Sequence, residues 1–85
     1  MKTEEFIKRA KQLADNVITI WGSFGNLSGV QIYKDDNAMI TVWTESTYAI
    51  NTVSGNCYVP IEKSYELEEL YRLCFEYAAT PINER

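Results

Sequence analysis

Two changes of hydrophobic period divide this chain and restrict it to one order of elements. Phe6, Ile7, Ala10, Leu13 and Ala14 recur at helical spacing and share one face. From Val17 the period drops to two, and β-branched and aromatic residues dominate. Past Pro60 helical spacing returns, with Leu67, Leu70, Tyr71, Cys74, Tyr77 and Ala78 in one stripe and Leu73 and Phe75 on its borders. A helix buries a stripe and a strand buries alternate residues, so neither pattern serves the other state.

Local signals set the limits. Thr3 is a good N-cap with Glu4 and Glu5 behind it, and Lys8, Arg9 and Lys11 suit the far end of the dipole, predicting a helix over 3–15. Strands are expected at Val17–Trp21, Val30–Lys34, Ala38–Thr44 and Thr47–Val53. They are separated by the loop Gly22–Gly29 and by turns at Asp35-Asp36-Asn37 and Glu45-Ser46. After Ser54-Gly55-Asn56, Cys57–Val59 reads as a short edge strand ended by Pro60. Ser64 caps the second helix, Glu66, Glu68 and Glu69 fill its early turns, and Pro81 stops it. Short turns between successive strands imply a meander. The expected fold is α+β: one domain over 1–85, a four- or five-stranded antiparallel meander with the N- and C-terminal helices packed on one face.

The chain has 85 residues, so its stability margin is thin. Its 46% hydrophobic content nevertheless matches a packed domain and argues against disorder. The net charge of −4 is unevenly spread: residues 1–15 are slightly basic, and the excess of glutamate lies over 60–79. Without a stripe of Lys and Arg to neutralise phosphates, nucleic acid is not an expected partner. No apolar run approaches the ~20 residues that span a membrane, and no signal peptide is apparent, so a cytoplasmic location is expected. Cys57 and Cys74, with no histidine in the chain, cannot form a four-ligand zinc site. They read as reduced, partly buried thiols, a disulfide requiring that the fold bring them together. No cofactor is expected.

The strand pattern places Ile18, Ile20, Val30, Ile32, Ile40 and Val42 on the face under the helices. Thr19, Trp21, Gln31, Tyr33, Met39, Thr41 and Trp43 then share the other face. Trp21, Tyr33 and Trp43 make that face a candidate binding surface, since exposed aromatic patches mark interfaces. Cross-strand aromatic pairs also stabilise sheets with no partner, and loop 22–29 could fold over them. Because the period is two, a one-residue slip of register would exchange the faces. Phe24 and Leu27, at the tip of the glycine-rich loop, are candidates for insertion into a partner. That loop lacks a Lys-Ser/Thr ending and leads to a strand, unlike a phosphate loop. Asn26-Leu27-Ser28 fits a glycosylation sequon, which matters only in a secreted chain.

Nothing in the chain predicts catalysis. Without histidine there is no Cys-His or Ser-His pair. Asp35 and Asp36 are adjacent and point apart, a poor acid–base pair. Glu68, Arg72 and Glu76 are spaced for i,i+4 ion pairs, the reading expected of a solvated face. Read as an acidic contact surface instead, Glu68, Glu69 and Glu76 would bind in a strongly salt-dependent way.

The ending Glu76-Tyr77-Ala78-Ala79-Thr80-Pro81-Ile82-Asn83-Glu84-Arg85, of the form Tyr-Ala-x-Thr-Pro-Ile-x-x-Arg after an amphipathic helix, resembles that of small proteins from phages and prophages of Gram-positive bacteria. The opening Met-Lys-Thr-Glu-Glu-Phe-Ile-Lys-Arg-Ala is similar to theirs too. The resemblance covers the two ends and implies a helix–meander–helix layout. This chain stops where many such proteins run on into a basic, tyrosine-containing tail. Small acidic phage proteins without catalytic residues commonly bind and block a host factor, as anti-CRISPR proteins do. The expectation is a non-enzymatic module that binds a host or phage protein. The alternative is a self-associating accessory protein, a homodimer through the aromatic face.

Overall fold

The computed structural model describes residues 1–34, 37–52 and 64–85. Its elements are α1 (Thr3–Leu13), β1 (Asn16–Trp21), β2 (Leu27–Lys34), β3 (Asn37–Trp43), β4 (Ile50–Thr52) and α2 (Ser64–Ala78), followed by a 3-10 turn over Ile82–Glu84. The strands form an antiparallel meander in the order β1-β2-β3-β4. The α+β fold expected from the two periods is the one observed. The strand expected at Cys57–Val59, the turn at Ser54-Gly55-Asn56, the pair Asp35-Asp36 and the Ser64 side-chain cap lie outside the described residues.

Both helices cover one face of the sheet. Phe6 and Ala10 of α1 and Leu70, Leu73, Cys74, Tyr77 and Ala78 of α2 are buried with Val30, Ile32, Ile40 and Val42. Each large side chain so buried contributes about 1.5–3 kcal/mol. At the centre of the packing the Tyr77 ring lies flat on Phe6, centroids 4.2 Å apart and planes 2° from parallel. Its hydroxyl shares a 2.7 Å hydrogen bond with Thr3 Oγ1, so the phenol is satisfied although the residue is fully buried.

The opposite side of Tyr77 is covered by the Arg85 guanidinium, 4.5 Å from the ring centroid. Arg85 also donates to four backbone carbonyls: Nε to Thr80, Nη2 to Ala78, and Nη1 to Trp43 and Thr44. It thereby caps the C-terminal end of α2 and joins it to the end of β3. Buried Thr80 donates its hydroxyl to the Glu76 carbonyl. The backbone N–H of Tyr48 reaches the Ala78 carbonyl at 2.7 Å, and Tyr48 takes a left-handed φ of 57° to do so.

The other helix end has its own lock. Lys34, 5% exposed, donates Nζ to the Leu13 carbonyl at 3.0 Å, with Asp15 at 3.9 Å. A cation at the C-terminus of α1 satisfies an open carbonyl and opposes the helix dipole. This ends α1 at Leu13, short of the expected 15.

Several expectations require correction. In β1, Val17 pairs with Ile32 and Thr19 with Val30, so these residues face the helices, and Ile18 and Ile20 face away. A register shift between Ile32 and Tyr33 turns Met39, expected outward, into the core, where it is 4% exposed. Thr3 is the first residue inside α1 and uses its hydroxyl on Tyr77, while Lys2 occupies the cap position without a side-chain bond. The loop expected over 22–29 is shorter, because Leu27–Gly29 already belong to β2. Finally, β4 begins at Ile50 instead of Thr47, and the expected end at Val53 lies outside the described residues.

Arg85→Ala is expected to lower the unfolding free energy by about 2–3 kcal/mol, since hydrogen bonds to a charged group are the stronger kind. Arg85→Lys, a point donor without the planar fork, should recover less than half of that loss. Urea denaturation measures both, and an unchanged midpoint for Arg85→Ala would contradict this role.

Candidate protein interface

The face of the sheet turned away from the helices is built in rows. Ile18, Gln31, Thr41 and Asn51 are aligned across the four strands. In the next row Ile20, Gly29 and Trp43 are aligned, and Asn16 pairs with Tyr33. A Cβ on Gly29 would stand 3.0 Å from Trp43 Cε3 and 3.4 Å from Ile20 Cδ1. The indole therefore lies over the glycine, filling the place of its missing side chain. Tyr33 donates its hydroxyl to Gln31 Oε1 at 3.0 Å. Both aromatic residues are half-buried.

Of the three aromatic residues expected to share this face, two do. Tyr33 and Trp43 are on it, whereas Trp21 lies on the side of β1 that carries Val17 and Thr19. Its indole N–H donates to Thr19 Oγ1 at 3.1 Å. Trp21 remains 60% exposed, the shift of register between Ile20 and Trp21 having placed it opposite Leu27 at the end of the ladder. Alternation could not reveal this, because both sets of β1 side chains are apolar enough to be buried. Ile18, 41% exposed, is the outward residue missed by that reading.

Phe24 is the most exposed large apolar side chain described, at 97%. It sits in the tight turn Gly22–Gly25, closed by the Gly25 N–H on the Gly22 carbonyl at 3.1 Å. Gly25 has a φ of 78°, a conformation that glycine adopts without strain. Behind the turn the Gly22 N–H bonds the Asn26 carbonyl at 2.7 Å, and the Asn26 amide donates to Glu45. Phe24 is thus presented on a braced turn. Leu27, expected at the same tip, is half-buried in β2, and its carbonyl accepts from Thr44 Oγ1.

The acidic residues of α2 form a mixed surface. Glu68 and Glu69 both approach Arg72, at 3.1 and 3.8 Å, and Glu76 lies with Arg9, Arg72 and Leu73 along a groove of about 240 Å³ between the helices. Exposed pairs like these contribute little to stability. A second groove, about 530 Å³, is lined by Lys2, Ile7, Leu27, Thr44 and Glu45, and is open. Among the described residues no group of three or more His, Cys, Asp or Glu is placed to hold a metal ion. No described helix is long and apolar enough to cross a membrane. Cys74 is fully buried and free, and burial pushes its thiol up from 9.0 to about 12. It fills space in the core, and Cys57 lies outside the described residues. Comparison of the chain with protein-family profiles, curated proteins and solved structures finds no match.

Two outcomes follow from this geometry. Gly29→Ala should displace the Trp43 indole, cost about 1–2 kcal/mol, and shift Trp43 emission in a Trp21→Phe background. An unshifted spectrum with unchanged stability would contradict the contact. In a Cys57→Ser background Cys74 should resist a thiol reagent at pH 8 until the protein unfolds. The unfolded thiol ionises above about pH 9 and the folded one only near 12, so this group leaves stability untouched below pH 9 and erodes it between those values.

Proposed function

We propose that this chain is a non-enzymatic protein-binding module, phage-encoded and cytoplasmic in the host cell, that occludes a host protein. An anti-CRISPR inhibitor of a nuclease is the sharpest form of that reading. The observation that carries the binding is Phe24, an almost wholly exposed benzyl side chain held on a braced turn. An apolar anchor on a rigid turn loses little entropy on docking, and hot spots are built from such residues. Trp21, Ile18 and the half-buried Tyr33 and Trp43 extend the apolar surface from that end of the sheet. Phage origin rests on the resemblance of the two chain ends and on nothing at the binding surface. In the ending, Tyr77, Thr80 and Arg85 all serve the fold.

Contact through the glutamates of α2 is the weaker mode, because Arg72 shares their charge. A face-to-face homodimer through Trp21, Tyr33 and Trp43 is weaker too, since Trp21 is not on the face of the other two.

The test is affinity capture from nuclease-treated Gram-positive lysate with the wild-type chain and with Phe24→Ser. The wild type should retain one host protein in stoichiometric amount, inhibit it, and hold it from about 0.05 to 0.5 M salt. Phe24→Ser should lose it at least tenfold. Retention that ignores Phe24→Ser, or a complex dissolved by 0.5 M salt, would overturn the proposed surface. Capture without inhibition would overturn the blocking role.

A further inference from the structure

Among the described residues strand β1 is an edge of the sheet, and its own sequence carries none of the residues that usually protect an edge. Its residues, Asn-Val-Ile-Thr-Ile-Trp, include no charge, no proline and no glycine. The opposite edge of the described sheet is β4, Ile50–Thr52. The register shift near Trp21 falls in β2, where Ser28 is the extra residue, so β1 itself stays regular.

The ladder shows which backbone groups of β1 face outward. Thr44 N–H donates to the Ser28 carbonyl, so Gly29 and Trp43 form a non-hydrogen-bonded pair. Alternation then turns the peptide groups of Gly29, Gln31 and Tyr33 toward β1, where they meet Ile20, Ile18 and Asn16. The N–H and C=O groups of Val17, Thr19 and Trp21 therefore point away from β2. In agreement, Val17 N–H is taken by its neighbour's side chain, Asn16 Oδ1, at 3.0 Å in an exposed position.

We propose that these open edges pair in two copies of the chain, antiparallel about a twofold axis at Thr19, joining two four-stranded sheets into one. The strand is self-complementary in that register. Thr19 meets the second copy's Thr19, and Val17 meets its Trp21, each pair exchanging both backbone hydrogen bonds once Val17 N–H gives up its exposed bond to Asn16 Oδ1. On the helix-side face an aliphatic residue packs on an indole; on the other, exposed Ile18 meets the second copy's Ile20. The chain carries a net charge of −4, yet this edge brings no like charges together: Asp15 falls opposite Ser23 of the second copy, far from the other Asp15. A one-residue change of register would match residues from opposite faces, and any register other than this one leaves the outward groups of Val17 or Trp21 without partners. Phe24 and the Tyr33–Trp43 face stay outside the pairing, whereas Ile18 and Trp21 are shared with the surface proposed for a host protein.

Sedimentation velocity over about 10–500 µM tests the pairing, the range suited to an interface below ~1,200 Å². The 9.8 kDa chain should shift toward twice that mass as concentration rises. Thr19→Pro removes the central donor while sparing the β1–β2 ladder, and should weaken the dimer at least tenfold. Ile18→Lys, at an exposed position, should do the same and decides the matter if Thr19→Pro does not fold. A monomer throughout the range would overturn the proposal, as would a dimer that both folded variants leave unchanged.

Discussion

Tyr77 holds this structure together, because α1 and the C-terminal Arg85 converge on it from different sides. Phe6 of α1 lies on one side and Arg85 on the other, and Thr3 meets the hydroxyl. Through Arg85 the column reaches the carbonyls of Trp43 and Thr44 at the end of β3. An 85-residue chain has little core to spare. A stack that joins both helices and a strand end therefore bears on the whole molecule, and the remaining apolar contacts build outward from it. The terminal Tyr-Ala-x-Thr-Pro-Ile-x-x-Arg motif is thereby given a structural meaning. Tyr77 and Thr80 are buried, Pro81 leads into the last turn, and Arg85 folds back over Tyr77.

The helices and the meander were legible because period is a local property. The stripe from Leu67 to Ala78 could be buried in only one way, and the core residues of α2 are those the spacing picked out. The faces of the central strands were legible too, since Val30, Ile32, Ile40 and Val42 alternate with polar or aromatic neighbours. Strand β1 was not. Val17, Thr19 and Trp21 are scarcely less apolar than Ile18 and Ile20, so alternation had no contrast to work with. The choice was made by pairing with β2. The register shift at Ile32/Tyr33 decides where Met39 points, and nothing local marks it. Nothing local marks Lys34 as the cap of α1 or Arg85 as the link to β3, because their carbonyl partners at Leu13, Trp43 and Thr44 are distant in sequence.

The candidate surface was partly legible for the same reason. Phe24 in a glycine-rich turn is a local signal, and the structure presents it fully. Leu27, three residues on, was drawn into β2 by the Thr44 contact to its carbonyl. The aromatic face was split by the register of β1. What remains is a polarised molecule, with the helix layer and Arg85 locked at one side of the sheet and exposed apolar groups at the β1 edge and its turn. The residues that hold the fold and the exposed Phe24 of the proposed surface are thus different, so Phe24 can be altered without unfolding the chain.

A double-mutant cycle on Phe6→Leu and Tyr77→Leu, read by urea denaturation, tests the organising role of the aromatic column most directly. If the stack couples α1 to α2, the two losses should depart from additivity by about 1 kcal/mol. Losses that add to within about 0.3 kcal/mol would show that the rings merely fill the core, and would contradict the account.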